Sequence, residues 1–366
     1  MSFNNFYKNK KVLVTGHTGF KGSWLVIWLK ELGAEVIGYA LDPYTDKDNF
    51  VLAGLDKEIV DIRGDIKDFA KLESVFQKYQ PEVVFHLAAQ PLVRLSYENP
   101  RETFEDNVMG TVNVLECIRK CESVKVAVNV TSDKCYDNKE WVWGYKETDA
   151  MGGYDPYSAS KGCSELIINS YTNSFFNPQN FETHKKAVVS VRAGNVIGGG
   201  DWSKDRIIPD CIRAIEENIA IQVRNPYAVR PWQHVLEPLS GYLSLGSKLL
   251  SDPEKFIGNW NFGPTNESII TVKEVVSTVL FNFPQGTWDD VSSNGQLHEA
   301  KLLNLDCSKA NFILKWKPSL NIKECIKLTC DWYKNYNTEN VYQLCKEQIS
   351  FYNECGIRNN NDWAIK

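Results

Sequence analysis

Seven residues, Gly16-His-Thr-Gly19-Phe-Lys-Gly22, constrain the fold of this chain more than any other stretch. They follow a β-rich run from Lys11 to Thr15 and precede a helical pattern from Ser23 to Leu32, after which Glu35 to Ala40 is extended again. Strand, glycine turn, helix, strand is a βαβ unit, and its turn leaves backbone N–H groups at a helix start free to hold an anion such as a pyrophosphate. The spacing is G-x-x-G-x-x-G, not the G-x-G-x-x-G of the common dinucleotide fingerprint, so its context between a strand and a helix carries the weight. Gly16, Thr18, Gly19, Phe20 and Gly22 are expected at a dinucleotide phosphate, while His17 either touches that phosphate or packs. Asp42 closes the second strand 20 residues beyond Gly22, the distance at which a carboxylate can accept from an adenosine ribose. With no Arg nearby in sequence to take a 2′-phosphate, NAD is expected over NADP.

The alternation continues. A short third strand ends at Gly64-Asp65, Asp68 to Tyr79 is helical, and Glu82 to His86 is a buried strand running into Leu-Ala-Ala-Gln90. A helical pattern from Arg101 to Lys120 leads to the strand Val126 to Val130. The expectation is an α/β protein with a Rossmann-type doubly wound parallel sheet and a smaller, mixed C-terminal substrate lobe. Ligands of such sheets sit at the carboxyl ends of strands, which places Asp65, Ile66, Ala88, Ala89 and Gln90 on the cofactor rim. Residues 1–200 are expected to form the NAD-binding domain, with a segment near 231–264 returning to it, and 201–366 the substrate lobe.

Thr131-Ser132-Asp133-Lys134-Cys135-Tyr136 leaves the rim after Val130, presenting a hydroxyl, a carboxylate and an amine together. Alone, such a turn is as readily a polar cap. Further on, Asp155-Pro156-Tyr157-Ser-Ala-Ser-Lys161 opens a helix, with Asp155 suited to the N-cap and Pro156 to the first turn. Tyr157 and Lys161 then share a face, and a cation beside a phenol favours its phenolate. Ser132, Asp133, Lys134, Tyr157 and Lys161 are the candidate catalytic residues, and Tyr157 and Lys161 also belong to the expected cofactor set.

Composition narrows the function classes. The 41 Lys plus Arg against 46 Asp plus Glu leave a net charge of −5, which argues against a nucleic-acid binder working by bulk charge. No apolar run approaches the ~20 residues of a membrane span, and the N-terminal apolar stretch is too short for a signal-peptide core, so a cytoplasmic location without membrane attachment is expected. Ten cysteines with no CxxC pair are expected as reduced thiols, with no metal site.

Through TGHTGFKG, the Ala88-Ala89 turn and Tyr157-x-x-x-Lys161, the chain resembles the extended short-chain dehydrogenase/reductases. The stretches HLAAQPLVRLSYENP, TSDKCYDN, WVWGY, MGGYDPYSASKG, RAGNVIGGGDW and RPWQHVLEPLSGY narrow the resemblance to the CDP-glucose 4,6-dehydratases, a nucleotide-sugar branch of that superfamily. The match covers residue 12 to about 265 and weakens beyond Gly263. The resemblance implies that Tyr157, helped by Lys161 and Ser132, takes the proton of the sugar 4-hydroxyl while C4 gives its hydride to NAD. Water is then lost across C5 and C6, and the hydride returns to C6 to give CDP-4-keto-6-deoxyglucose. Asp133 would protonate the departing 6-hydroxyl. Lys134, which stands where the dTDP-glucose enzymes carry Glu, would act at C5 either as a neutral base or as a cation stabilising the enolate. CDP-glucose is the implied substrate, with Asn195, Arg206, Arg230 and His234 as its contacts. Gly198-Gly-Gly200 is read as a flexible loop that lets backbone approach the ligand, or as a plain hinge.

The resemblance also implies a homodimer or higher homo-oligomer through helices near 101–120 and 157–173, and a place in deoxysugar synthesis for a lipopolysaccharide O-antigen. Trp316, Trp332 and Tyr333 are expected as core or lobe-packing residues. Another nucleotide-sugar dehydratase, or an epimerase acting on dTDP- or GDP-sugars, is the principal alternative. A catalytically silent NAD-binding scaffold would not need Ser132, Asp133, Tyr157 and Lys161 together.

Overall fold

A computed structural model describes residues 2–292 and 302–364. Its twelve strands are β1 (Lys11–Thr15), β2 (Glu35–Ala40), β3 (Val60–Arg63), β4 (Val83–His86), β5 (Val126–Val130), β6 (Ala187–Ala193), β7 (Asn195–Ile197), β8 (Ile221–Val223), β9 (Val229–His234), β10 (Gly258–Phe262), β11 (Ile269–Thr271) and β12 (Trp288–Asp290). Seven make the main sheet, in the order β10-β6-β5-β4-β1-β2-β3, and every pairing in it is parallel. Side chains alternate along each strand: Val12 and Val14 enter one apolar layer and Leu13 the other, and Val126 and Val128 likewise oppose Ala127. Both faces of the sheet are therefore covered by helices, the condition under which parallel strands are apolar throughout.

One face carries Phe20–Glu31 and Leu236–Lys248, and the other Phe69–Tyr79, Gly110–Lys120 and Pro156–Phe175. The first of these helices begins at Phe20, inside the glycine loop and three residues before the expected start. Gly22 makes this possible, since a Cβ there would stand 2.1 Å from the Gly16 carbonyl oxygen. Trp24 through Leu29 are all buried, because the C-terminal helix Val341–Arg358 covers the outer side. Tyr342 donates to Glu31 at 2.9 Å, and Trp28 meets Tyr352 edge-on at 5.8 Å. The expected core residues Trp316, Trp332 and Tyr333 are buried in the same layer.

The helical run predicted over 101–120 is broken by a π turn at Glu105–Met109, between Pro100–Phe104 and Gly110–Lys120. Beside the main sheet lie a three-stranded mixed sheet, β11-β9-β7, and a pair, β12-β8. Strand order reverses between β1 and β4, so the crevice that takes ligands opens at their carboxyl ends. There Gly16 and Ala88 approach so closely that a Cβ on Gly16 would lie 2.7 Å from the Ala88 nitrogen.

Gly198-Gly-Gly200 is not a flexible loop. Its glycines are imposed by neighbours: a Cβ on Gly199 would fall 1.9 Å from Cγ of Trp332, and Gly200 has φ +76° against Asn49. The backbone is packed tightly over the core here, and only Gly198 lines the cleft.

Candidate active site

A cleft of about 710 Å³ lies over the switch point. Gly16, Thr18, Gly19, Phe20 and Gly22 line it, as do Asp65, Ile66, Ala88, Ala89 and Gln90. The helix Phe20–Glu31 starts with Gly19 at its N-cap and no side chain capping it, so its first amides face the cleft without an internal partner. A Cβ on Gly19 would meet only the Gly16 carbonyl oxygen, at 3.4 Å. That glycine is not demanded by internal packing, and the space it leaves belongs to the cleft, as a pyrophosphate cradle requires. Thr15 holds the opposite wall: its Oγ1 accepts from the Leu87 and Ala88 amides, both at 3.2 Å, and bonds His86 Nδ1 at 2.7 Å.

The chemistry-bearing groups enter from the β5 exit and the helix Pro156–Phe175. Asp155 caps that helix as expected, accepting from the Ser158 amide at 2.9 Å and its hydroxyl at 2.7 Å, with Pro156 in the first turn. Tyr157 and Lys161 are buried on its inner face. The amide of Tyr157 donates to Ser96 Oγ at 3.1 Å, and Asn107, on the π turn, donates to Ser160 at 2.8 Å and to the Gln90 carbonyl at 3.1 Å. Opposite, the Ser132 hydroxyl donates to Asp133 at 3.0 Å and accepts from the Lys134 amide at 3.2 Å. Ser132, Asp133, Lys134, Tyr157 and Lys161 all line the one cleft.

Electrostatics adds Arg206 to the charged groups around Tyr157. Burial pushes the Tyr157 phenol up to about 12, while its hydrogen bond with Ser132 and the nearby Arg206 guanidinium pull it back. Burial brings Lys161 down to about 8, against the pull of Glu165. Asp133, also buried, is raised above the ordinary carboxylate range by desolvation, with Lys134, Ser132 and Arg230 pulling the other way. A carboxyl so placed holds a proton more readily than one in water, which suits an acid.

Of the expected substrate contacts, Asn195, Arg206 and Arg230 line the cleft. Arg206 is engaged by Asp201 at 2.7 Å. His234 is not a contact. It is fully buried on the inner end of β9, edge-on to Trp24 at 5.9 Å, and burial holds it neutral, down to about 3. His17 also turns away from the cleft and packs, bonded to Asp61 at 2.8 Å and edge-on to Phe50. Between the two alternatives left by sequence, packing holds.

Asp42 stands outside the cleft lining with its side chain 88% exposed, and Arg63 Nε lies 3.9 Å from its carboxylate. The expectation that no Arg is near is overturned, because Ala40 and Arg63 are register partners in adjacent parallel strands although distant in sequence. Arg63 is itself held by Asp61 at 2.8 Å and lies over the Phe50 ring. Sequence reasoning also missed Ser96, Asn107, Glu165 and Arg192, whose roles arise only once distant segments meet. Among the described residues there is no cluster of side chains fit to hold a metal, and all ten cysteines are free.

With this geometry in view, comparison with known proteins is decisive. The family model described as GDP-mannose 4,6 dehydratase matches residues 13–245. The chain belongs to that family. It is 51% identical to the CDP-glucose 4,6-dehydratase of Salmonella typhimurium over 354 residues, covering 95% of this chain and 97% of that protein. Among solved structures, the dTDP-glucose 4,6-dehydratase of Bacillus anthracis in complex with NAD superposes with a TM-score of 0.71 at 20% identity, over 89% of this chain and 97% of that one. UDP-glucose 4-epimerase of Thermotoga maritima, with UDP-glucose, gives 0.73 at 21% identity, over 89% and 99%. The fold is thus shared with a dTDP-glucose 4,6-dehydratase and a UDP-glucose 4-epimerase, and the side chains of the cleft must decide the reaction.

Proposed function

We propose that this chain is an NAD-dependent CDP-glucose 4,6-dehydratase, converting CDP-glucose to CDP-4-keto-6-deoxyglucose and water. The observation that carries the proposal is the meeting, in one cleft, of a tyrosine suited to alcohol oxidation with a buried carboxyl and an adjacent amine, Asp133-Lys134. An epimerase needs the first and has no use for an elimination acid. The 51% identity to a CDP-glucose enzyme supports the substrate.

The glycine cradle and the uncapped helix start fit the pyrophosphate of NAD, and the rim at Asp65, Ile66 and Ala88 to Gln90 fits the rest of a dinucleotide. Bound NAD supplies the acceptor for the C4 hydride and the donor that returns it to C6. Tyr157 takes the proton from the 4-hydroxyl, with Ser132 hydrogen-bonded to its phenol and Arg206 and Lys161 supplying positive charge to the cleft. The resulting 4-ketone acidifies C5. Lys134 acts there, as the base that takes the C5 proton or as the cation beside the enolate while water takes it; Asp133 delivers a proton to the departing 6-hydroxyl, and C5 regains a proton as the hydride reaches C6. Arg206, Arg230 and Asn195 face the nucleotide diphosphate, where guanidinium forks suit phosphate oxygens.

Residues 1–200 with the returning strand β10 serve the dinucleotide, and 201–366 mainly serve the nucleotide sugar. A homodimer through the helices near 101–120 and 157–173 is supported by exposed Phe104, Met109 and Leu166 on them. Ten free thiols suit a reducing, cytoplasmic compartment, and a 4-keto-6-deoxy product is the kind of sugar nucleotide consumed in deoxysugar synthesis for a surface polysaccharide such as an O-antigen. The test is incubation with NAD and a panel of CDP-, dTDP-, UDP- and GDP-hexoses. A 4-keto-6-deoxy product is expected from CDP-glucose at the highest kcat/KM, and turnover of another nucleotide sugar in its place would reassign the substrate.

A further inference from the structure

Among the described residues one ion pair lies wholly inside the protein: Arg192 Nη2 and Glu165 Oε2 are 2.6 Å apart, with neither side chain exposed. Their remaining bonds reach both flanks of the Ser132-Asp133-Lys134 turn. Glu165 stands one helical turn beyond Lys161 and accepts from the hydroxyls of Thr131 and, at 2.8 Å, of Ser190 on β6. Thr131 immediately precedes Ser132. Arg192 donates to the Tyr136 hydroxyl at 2.6 Å and to the Glu147 carbonyl at 3.2 Å, and its guanidinium lies 4.9 Å above the Tyr136 ring. Tyr136 closes the Ser132-Asp133-Lys134 turn on its other side and donates to Asn261 of β10 at 2.8 Å. The turn is thus gripped at both ends by one charged pair whose acidic member rides on the helix that carries Tyr157 and Lys161.

Buried ion pairs contribute little to stability that apolar residues of the same volume would not, and their best-attested use is fixing register. Here Arg192 Nε has no hydrogen-bond partner, a cost that packing alone does not require. We infer that Glu165 and Arg192 are positioning residues, which fix the Ser132-Asp133-Lys134 turn against the Tyr157/Lys161 helix, with Glu165 one turn from Lys161. This rests on the dehydratase activity proposed above. The groups facing Lys161 are Glu165 on its own helix, Cys135 on the turn, His86 from β4 and Lys21 from the helix Phe20–Glu31. Glu165 is the anion among them that sustains the ammonium, so removing its charge makes Lys161 give up its proton at lower pH.

The test uses the full chain with NAD and CDP-glucose, in Glu165→Gln, Glu165→Asp and Thr131→Val. Glu165→Gln is expected to keep KM within about twofold, to lose at least about tenfold in kcat, and to move the alkaline limb of kcat down by about half a pH unit or more. Glu165→Asp is expected to regain most of both. Thr131→Val cuts the tie to the turn with the ion pair intact, and should lower kcat several-fold with the limb unmoved. The inference is overturned if Glu165→Gln loses kcat only in step with melting temperature while the limb stays in place, or if both Glu165→Gln and Thr131→Val keep kcat within about twofold. Should Glu165→Gln fail to fold, Thr131→Val decides, and a wild-type kcat in it overturns the inference. Failure of the underlying activity is distinct, because the wild-type protein would then leave CDP-glucose unchanged.

Discussion

Burial sets the problem that Tyr157 has to solve. Its phenol stands at about 12 and Lys161 at about 8, so the base proposed for the first step depends on positive charge gathered in the cleft, and Lys161 loses its charge as pH rises through about 8. Tyr157→Phe, which removes the proton acceptor and keeps the ring, should stop the reaction before any NADH absorbance forms, and full oxidation of C4 by this variant would displace Tyr157 from its role. Lys134 admits a sharper experiment, since arginine keeps a cation in place and does not serve as a base near neutral pH. Lys134→Ala is expected to oxidise C4 yet exchange the C5 hydrogen with heavy water far more slowly than wild type. Restoration of exchange by Lys134→Arg marks the cationic role, and its failure marks the base. Loss of NADH formation in Lys134→Ala, with ligands still bound, would move Lys134 to the oxidation step. At the adenosine end, Asp42 and Arg63 oppose one another, 3.9 Å apart. Asp42→Ala should narrow the preference for NAD over NADP by about tenfold in calorimetric titration, equivalent to ~1.4 kcal/mol, and Asp42→Ala/Arg63→Ala should lose that gain. An unchanged preference in Asp42→Ala would remove Asp42 from dinucleotide selection.

At the scale of elements, the segments that announce themselves locally are those whose form is decided locally. The βαβ opening and the Asp155-Pro156 helix start could be read because strand period, glycine turn and N-cap chemistry act within a few residues. Arg63 beside Asp42, the burial of His17 and His234, and the Glu165–Arg192 pair could not, because each depends on strands or helices brought together by sheet order. Gly198-Gly-Gly200 misleads for the same reason: composition suggests freedom, while Trp332, more than a hundred residues on, demands the missing side chain. Gly199→Ala is expected to destabilise the chain by about 3 kcal/mol in urea unfolding, as overpacking against an immobile ring does, and a neutral effect would mean that Trp332 is free to yield. The C-terminal segment is joined to the helix Leu236–Lys248 by Glu237, whose buried carboxylate accepts from the amides of Ser319 and Leu320 at 2.9 and 2.7 Å and from Tyr352 at 2.8 Å. Burial raises this acid from 4.5 to about 7. The folded form therefore binds the proton more tightly than the unfolded one, and stability from this group, complete below about pH 4.5, is lost as pH rises to about 7. Glu237→Gln should flatten that part of the melting-temperature profile, and an identical profile would contradict the assignment.

Across the whole molecule, one parallel sheet brings two chemistries to one rim. β1 and β4 open the crevice that fits a dinucleotide, and the β5 exit and the helix Pro156–Phe175 bring Asp133 and Tyr157, the proposed elimination acid and oxidation base, to one cleft. The fold is shared with epimerases, so what separates the outcomes is where the hydride returns. In a 4,6-dehydratase it leaves C4 and comes back to C6 of the same sugar, whereas a 4-epimerase restores it to C4. CDP-glucose carrying deuterium at C4, turned over with unlabelled NAD and followed by NMR, measures this directly. Deuterium at C6 of a 4-keto-6-deoxy product, with no net accumulation of NADH, is the expected result; deuterium retained at C4, or lost entirely to solvent, would contradict it.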